Sequence, residues 1–229
     1  MAKQTRKTQP LSPFVTPGHA RLVLVAGECP TGLTFGLSGG SHDAGREGAP
    51  ILLSEDTTVS PSHATFAYRG DSLQVSDKGS LNGVYVRVRA PRALEDGDWF
   101  RVGGQFFRFH VVDQRDEYPS ADGTLHFISP KRAASFRVVQ ILDGGRTGLS
   151  MVASNDELTI GGEGCNVAFT ADTHLSARHA RISRNSSGGF SIEDTGSTNG
   201  TYVRIRGKET LSHGDFVYVG NELLRVEIT

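Results

Sequence analysis

The chain repeats itself, and that constrains its fold more than any feature of composition. The stretch from Gly45 to Ala64, GREGAPILLSEDTTVSPSHA, returns from Gly161 to Ala180 as GGEGCNVAFTADTHLSARHA, so that Ser60 and His63 recur as Ser176 and His179. Asp77–Arg87 returns as Asp194–Arg204, and Leu94–Asp98 with Val102-Gly103 returns as Leu211–Asp215 with Val219-Gly220. Three blocks in one order mean a duplication, and each copy must then be a structural unit in its own right. A chain of 229 residues has room for two small cores of this kind.

Between the blocks run short stretches of β-formers, among them Arg21 to Val25, Ala64 to Tyr68, Phe106 to Val112 and Leu223 to Ile228. Gly, Asp, Asn and Ser clusters punctuate them at close intervals. That pattern predicts an all-β protein of antiparallel sandwiches, since no segment keeps a helical period with caps for three turns. Residues 1–19 hold Lys3, Arg6, Lys7, three prolines and no acid, and read as a disordered basic tail. Residues 20–113 form the first expected domain, 114–134 a polar linker and 135–229 the second domain. Within the linker, Leu125-His126-Phe127-Ile128 is apolar enough to pack on a neighbour.

Charge excludes several function classes. The 24 Lys and Arg nearly cancel the 25 Asp and Glu, which removes the broad positive field that draws a protein to nucleic acid or an anionic membrane. No apolar run reaches membrane-spanning length and the N-terminus is polar, so the expected location is cytoplasmic. Cys29 and Cys165 fall at non-equivalent places in the repeats, which argues against a disulfide or a metal framework. No carboxylate pair, metal cluster or nucleotide loop emerges, so no cofactor, no metal and no enzymatic activity are expected.

At the repeated blocks the sequence resembles the forkhead-associated (FHA) domain, whose pattern runs Gly-Arg, Ser-x-x-His, Asp-x-x-Ser-x-Asn-Gly, then Gly-Asp and a terminal strand. Both copies follow it in order over nearly all of residues 20–113 and 135–229. The resemblance implies two tandem eleven-stranded β-sandwiches presenting loops to a phosphothreonine peptide. A phosphothreonine brings about −1.5 to −2 charges and three acceptor oxygens, so its reader needs a guanidinium and several hydroxyl or amide donors. In the first copy Arg46 would supply the charged fork, Ser60 a hydroxyl and Asn82 a bond to the peptide backbone, with Ser62 and Ser80 completing the candidate set. The bland alternatives are a surface Arg46 paired with Glu47, a turn-capping Ser60 and an Asn82-Gly83 pair that only makes a tight turn. The family places His63 and His179 in the scaffold, bracing the serine loop. This reading displaces a Ser/His catalytic one, for which the chain has no Gly-x-Ser-x-Gly turn.

The copies depart from the pattern unequally. Gly162 stands where the family has its arginine, leaving Glu163 without that cation; Ser176, Thr198 and Asn199 persist, with Arg178 on the serine loop as a doubtful substitute. In the first copy Leu81 replaces a phosphate-holding threonine and Pro61 a polar residue. The expected function is a phosphothreonine-dependent adaptor downstream of a Ser/Thr kinase, reading its partner through the first domain, with a degenerate second domain. The alternative is a phosphate-independent scaffold or dimerisation protein. A third reading lets phosphorylated Thr5, Thr8 or Thr16 on the tail fold back onto the first domain, against an inert tail.

Overall fold

A computed structural model describes residues 19–112, 120–125, 134–153 and 155–228. The expected tail, apart from His19, and the linker, apart from residues 120–125 and 134, lie outside the described residues, as do His126, Phe127 and Ile128. Leu125 is 61% exposed.

The first repeat supplies β1 (His19–Ala26), β2 (Thr34–Ser38), β3 (Ser41–Gly45), β4 (Ile51–Leu52), β5 (Ala64–Arg69), β6 (Ser72–Asp77), β7 (Val84–Arg87), β8 (Arg92–Leu94), β9 (Trp99–Val102) and β10 (Gln105–Val111). The second supplies β11 (Phe136–Ile141), β12 (Thr147–Val152), β13 (Glu157–Gly161), β14 (Val167–Ala168), β15 (Ala180–Arg184), β16 (Phe190–Asp194), β17 (Thr201–Arg204), β18 (Lys208–Leu211), β19 (Phe216–Val219) and β20 (Glu222–Ile228). A single 3-10 turn, Asp143–Gly145, is the helical element among the described residues. Strand faces follow the side-chain period of two: in β6 Leu73 and Val75 are buried while Gln74 and Ser76 are not. Burial on one face of each strand is what drives two sheets together.

Two sandwiches result, each of ten strands among the described residues, where the resemblance implied eleven. They do not coincide with the two repeats. The first packs β2-β1-β20-β19-β7 on β4-β3-β5-β6-β18, and the second packs β12-β11-β10-β9-β17 on β14-β13-β15-β16-β8. Each repeat therefore gives its last three strands to the other. β18 pairs with β6, Thr210 opposite Gln74, and β8 pairs with β16, Arg92 opposite Ile192. The first core accordingly joins Leu22, Phe66 and Val75 to Leu211, Val217 and Leu224. The second joins Phe100, Phe107 and Phe109 to Phe136, Ile160 and Ile182. Along the chain the second sandwich is one continuous stretch, β8 to β17, inserted between β7 and β18 of the first.

The sandwiches are fused along β7 and β17, whose antiparallel pairing sets Val86 opposite Val203 inside one ten-stranded sheet. Tyr202 meets Tyr218 edge to face at 4.7 Å, Tyr85 meets Phe106 at 5.8 Å, and the Arg101 guanidinium lies 4.1 Å from the Tyr218 ring centre. Burial pushes the Tyr85 phenol up to about 12, so it stays neutral. The chain crosses between sandwiches at Val88–Pro91 and Ile205–Gly207. There Arg89 pairs with Asp215 and Arg206 with Asp98, equivalent pairs on the two sides of the duplication. Arg92 pairs with Glu209 at 2.9 Å. Asp98 and Asp215 also accept the backbone N–H groups of Glu95 and Ser212 at 2.8 Å. These aspartates thus tie one repeat to the other.

Candidate functional site

In the first sandwich three loops converge. The β3–β4 loop starts with Arg46, the β4–β5 loop carries Ser60, and the β6–β7 loop carries Ser80, Leu81 and Asn82. The Arg46 N–H donates to the Ser60 carbonyl and Arg46 Nε to the Val59 carbonyl, both at 3.1 Å. This anchors one edge of the guanidinium and leaves its outer end, 3.5 Å from Glu47, at the surface. The Glu47 contact is an exposed pair, of small energetic weight, that a dianion would displace. Gly45 permits the close approach: a Cβ there would lie 2.1 Å from the Pro61 carbonyl oxygen.

Ser60 Oγ accepts the Leu81 N–H at 3.2 Å, so its own proton remains to be donated. Asn82 Nδ2 donates to the Thr58 carbonyl at 2.7 Å, which aims the amide along the same rim. Ser62 is exposed two residues beyond Ser60. Ser80 lies deeper than the rest of the candidate set. It is 6% exposed, its Oγ accepts the Gly83 N–H at 2.9 Å, and its N–H donates to Asp77, so it shapes the turn from inside. Leu81, by contrast, is 85% exposed at the lip of the site.

His63 is fully buried beneath the serine loop. Its Nδ1 accepts the Ser60 N–H at 3.0 Å and its Nε2 faces the Gly83 carbonyl at 3.1 Å, which fixes the neutral tautomer with the proton on Nε2. Burial holds its pKa below the ordinary histidine range. The imidazole bonds the backbone of Ser60 and not its hydroxyl, so it activates no nucleophile.

The second sandwich repeats the scaffold. Ser176 N–H donates to His179 Nδ1 at 3.2 Å, His179 Nε2 faces the Gly200 carbonyl at 3.0 Å, and Ser176 Oγ accepts the Thr198 N–H at 3.1 Å. Asn199 Nδ2 donates to the His174 carbonyl at 2.9 Å. Gly162 keeps the backbone bond to the Ser176 carbonyl at 2.9 Å that Arg46 makes to Ser60, but brings no cation. Arg178, on the serine loop, is exposed. Thr198 and Asn199 are likewise exposed.

The FHA domain profile matches residues 41–103 and again 156–220, together more than half of the chain. The chain belongs to the FHA-domain family. Among curated relatives, the oxoglutarate dehydrogenase inhibitor of Corynebacterium jeikeium is 39% identical over 38% of this chain and 60% of its own. The glycogen accumulation regulator GarA of Mycolicibacterium smegmatis is 37% identical over 38% of this chain and 56% of its own. The chain thus spans less than two thirds of either relative. The FHA domain of the CT664 protein from Chlamydia trachomatis aligns over 91% of this chain and 96% of its own, with 15% identity and a TM-score of 0.38.

Two features of the FHA loops escaped the sequence reading. Asp56 and its counterpart Asp172 sit at the base of the serine loops and bond to the other repeat's hairpin. The duplication itself marked them, since both copies keep an aspartate four residues before the serine. Arg204 and Arg87, each from the opposite repeat, pack against the turns that end in Gly83 and Gly200, where a Cβ would lie 2.1 and 2.4 Å from the respective Nε. No local signal announces a neighbour more than a hundred residues away. Among the described residues no helix is long and apolar enough to cross a membrane, and no group of His, Cys, Asp and Glu is arranged to hold a metal.

Proposed function

We propose that this FHA protein is an adaptor that reads a phosphothreonine peptide, placed there by a Ser/Thr kinase, through the loops of its first sandwich. The observation that carries the reading is the convergence of Arg46, Ser60 and the Leu81 N–H around one rim point, a charged fork beside a free hydroxyl proton. A phosphate takes bidentate donation from such a fork with a further bond from the hydroxyl, and Asn82 lies next along the rim for the peptide backbone. Exposed Ser62 flanks this set. The second sandwich holds the same hydroxyl and amide without the cation, so it is a degenerate reader in which Ser176, Thr198, Asn199 and Arg178 bind phosphate weakly if at all.

The test is a titration of the full chain with a degenerate phosphothreonine peptide pool and its unphosphorylated twin. The full chain is used because the repeats exchange strands and the two sandwiches are joined in one sheet through β7 and β17. One site per chain and a clear preference for the phosphorylated pool are the expected result. A hydrogen bond to a charged group is worth about 1.5–3 kcal/mol, so Arg46→Ala should weaken binding roughly 10- to 150-fold. Equal binding of both pools, unmoved by Arg46→Ala, would favour the phosphate-independent scaffold.

A further inference from the structure

The segment Asp56–Ser60 supplies the acceptors that hold the reading side chains. The Val59 carbonyl accepts Arg46 Nε and the Ser60 carbonyl its backbone N–H, while the Thr58 carbonyl accepts Asn82 Nδ2. The segment is itself held by Asp56, which is 1% exposed. Its Oδ1 accepts the Thr58 N–H at 2.8 Å and the Thr58 hydroxyl at 2.7 Å. Its Oδ2 accepts the Asn221 N–H at 2.7 Å. Asn221 lies in the turn between β19 and β20, so this partner comes from the second repeat. Contact there is tight: a Cβ on Gly220, whose φ is +62°, would meet Val59 at 2.6 Å, Thr58 at 2.8 Å and Asp56 at 2.9 Å.

The second sandwich carries the mirror arrangement. Asp172 Oδ2 accepts the Gly104 N–H at 3.0 Å and Gln105 Nε2 at 2.8 Å, and a Cβ on Gly103 would meet Leu175 at 2.8 Å. Both copies thus bond the aspartate of the serine loop to a hairpin of the other repeat.

We propose that Asp56 is the positioning residue of the first-sandwich phosphopeptide site and that, through Asn221, it makes that site depend on the hairpin of the other repeat. The proposal rests on the reading that the Arg46 cluster takes phosphothreonine. Its physical basis is geometric. A planar guanidinium binds a phosphate through bonds of strict direction, so a shift of Val59 and Thr58 misaims the fork and the Asn82 amide together. Reciprocity requires that peptide bound at the first sandwich stabilise the Asp56–Asn221 bond in return.

The experiment titrates the labelled phosphothreonine pool and its unphosphorylated twin into the full chain and into Asp56→Asn, Asp56→Ala, Gly220→Ala and Gly103→Ala, with folding checked by amide spectra. Gly103→Ala makes in the second sandwich the insult that Gly220→Ala makes in the first, so it controls for general destabilisation. Asp56→Ala and Gly220→Ala should weaken phosphate-dependent binding about tenfold or more, and Gly103→Ala should leave it unchanged. Asp56→Asn keeps one acceptor and the loop's shape should Asp56→Ala fail to fold, and an intermediate loss is expected of it. Saturating peptide should also slow hydrogen exchange of the Asn221 amide in the unmodified chain. Phosphate preference retained at full strength in folded Asp56→Asn and Gly220→Ala, equal loss in Gly103→Ala, or unchanged Asn221 exchange would each overturn the clamp alone. An unmodified chain that does not distinguish the two pools would overturn the phosphate reading and the clamp with it.

Discussion

The two sites differ at Leu81 and Thr198 and at Pro61 and Ala177, but the difference in charge at the family's arginine position lies between Arg46 and Gly162. Arg46 is anchored through Nε and main chain, and Gly162 makes the equivalent main-chain bond with nothing beyond it. Space is not the obstacle, because a Cβ on Gly162 would find its nearest neighbours at 3.7 Å, ordinary van der Waals contact. We therefore expect Gly162→Arg to raise phosphopeptide affinity at the second sandwich by roughly 10- to 150-fold. Calorimetry should then count two sites per chain in place of one. His63 gives a second prediction. It is neutral in the folded chain, with burial keeping its pKa low, while unfolded histidine titrates near about 6.5. Below that value the unfolded chain binds the proton first, so stability holds above it and falls as the pH drops towards the depressed folded value. Urea midpoints at pH 7.5 and pH 5 should show this fall, and it should shrink in His63→Gln. Arg46 and Ser60 were legible as candidates because they stand inside the family pattern, and Ser60 recurs as Ser176. The burial of Ser80 was not legible, because the pattern names the residue type and says nothing of which way its hydroxyl turns.

Strands were legible as strands, since alternation and turn residues are local signals, but their partners were not. Asn82-Gly83 read as a tight turn, and Gly83 indeed sits at a φ of +81°. That Arg204 presses against it, and reaches Asp77 at 3.5 Å, depends on β17 lying beside β7. The exchange of strands itself is directly checkable. Backbone NOEs should connect Arg92 with Ile192 and Thr210 with Gln74 in the full chain. NOEs joining residues 92–94 to β6 instead would show each repeat keeping its own last three strands. Pairing in the exchanged form also explains why the Gly-Asp turns matter twice, as turn formers for their own hairpins and as anchors for Arg89 and Arg206 of the opposite repeat.

At the scale of the whole molecule, sequence by itself determined that the chain is all-β, that it holds two FHA units and that only one keeps the arginine of the family pattern. Those conclusions rest on residue types at fixed spacing, which the chain carries wherever its strands go. Tertiary structure decided which strands close which sandwich, that the second unit is inserted into the first, and that each serine loop is clamped by the other repeat's hairpin. The physical reason is the duplication itself. Strands of the two copies share alternation and turn chemistry and differ little in length, so β8 to β10 and β18 to β20 suit either sandwich by local measures. Local pattern cannot separate such near-equal partners; only the path of the chain through Val88–Pro91 and Ile205–Gly207 does.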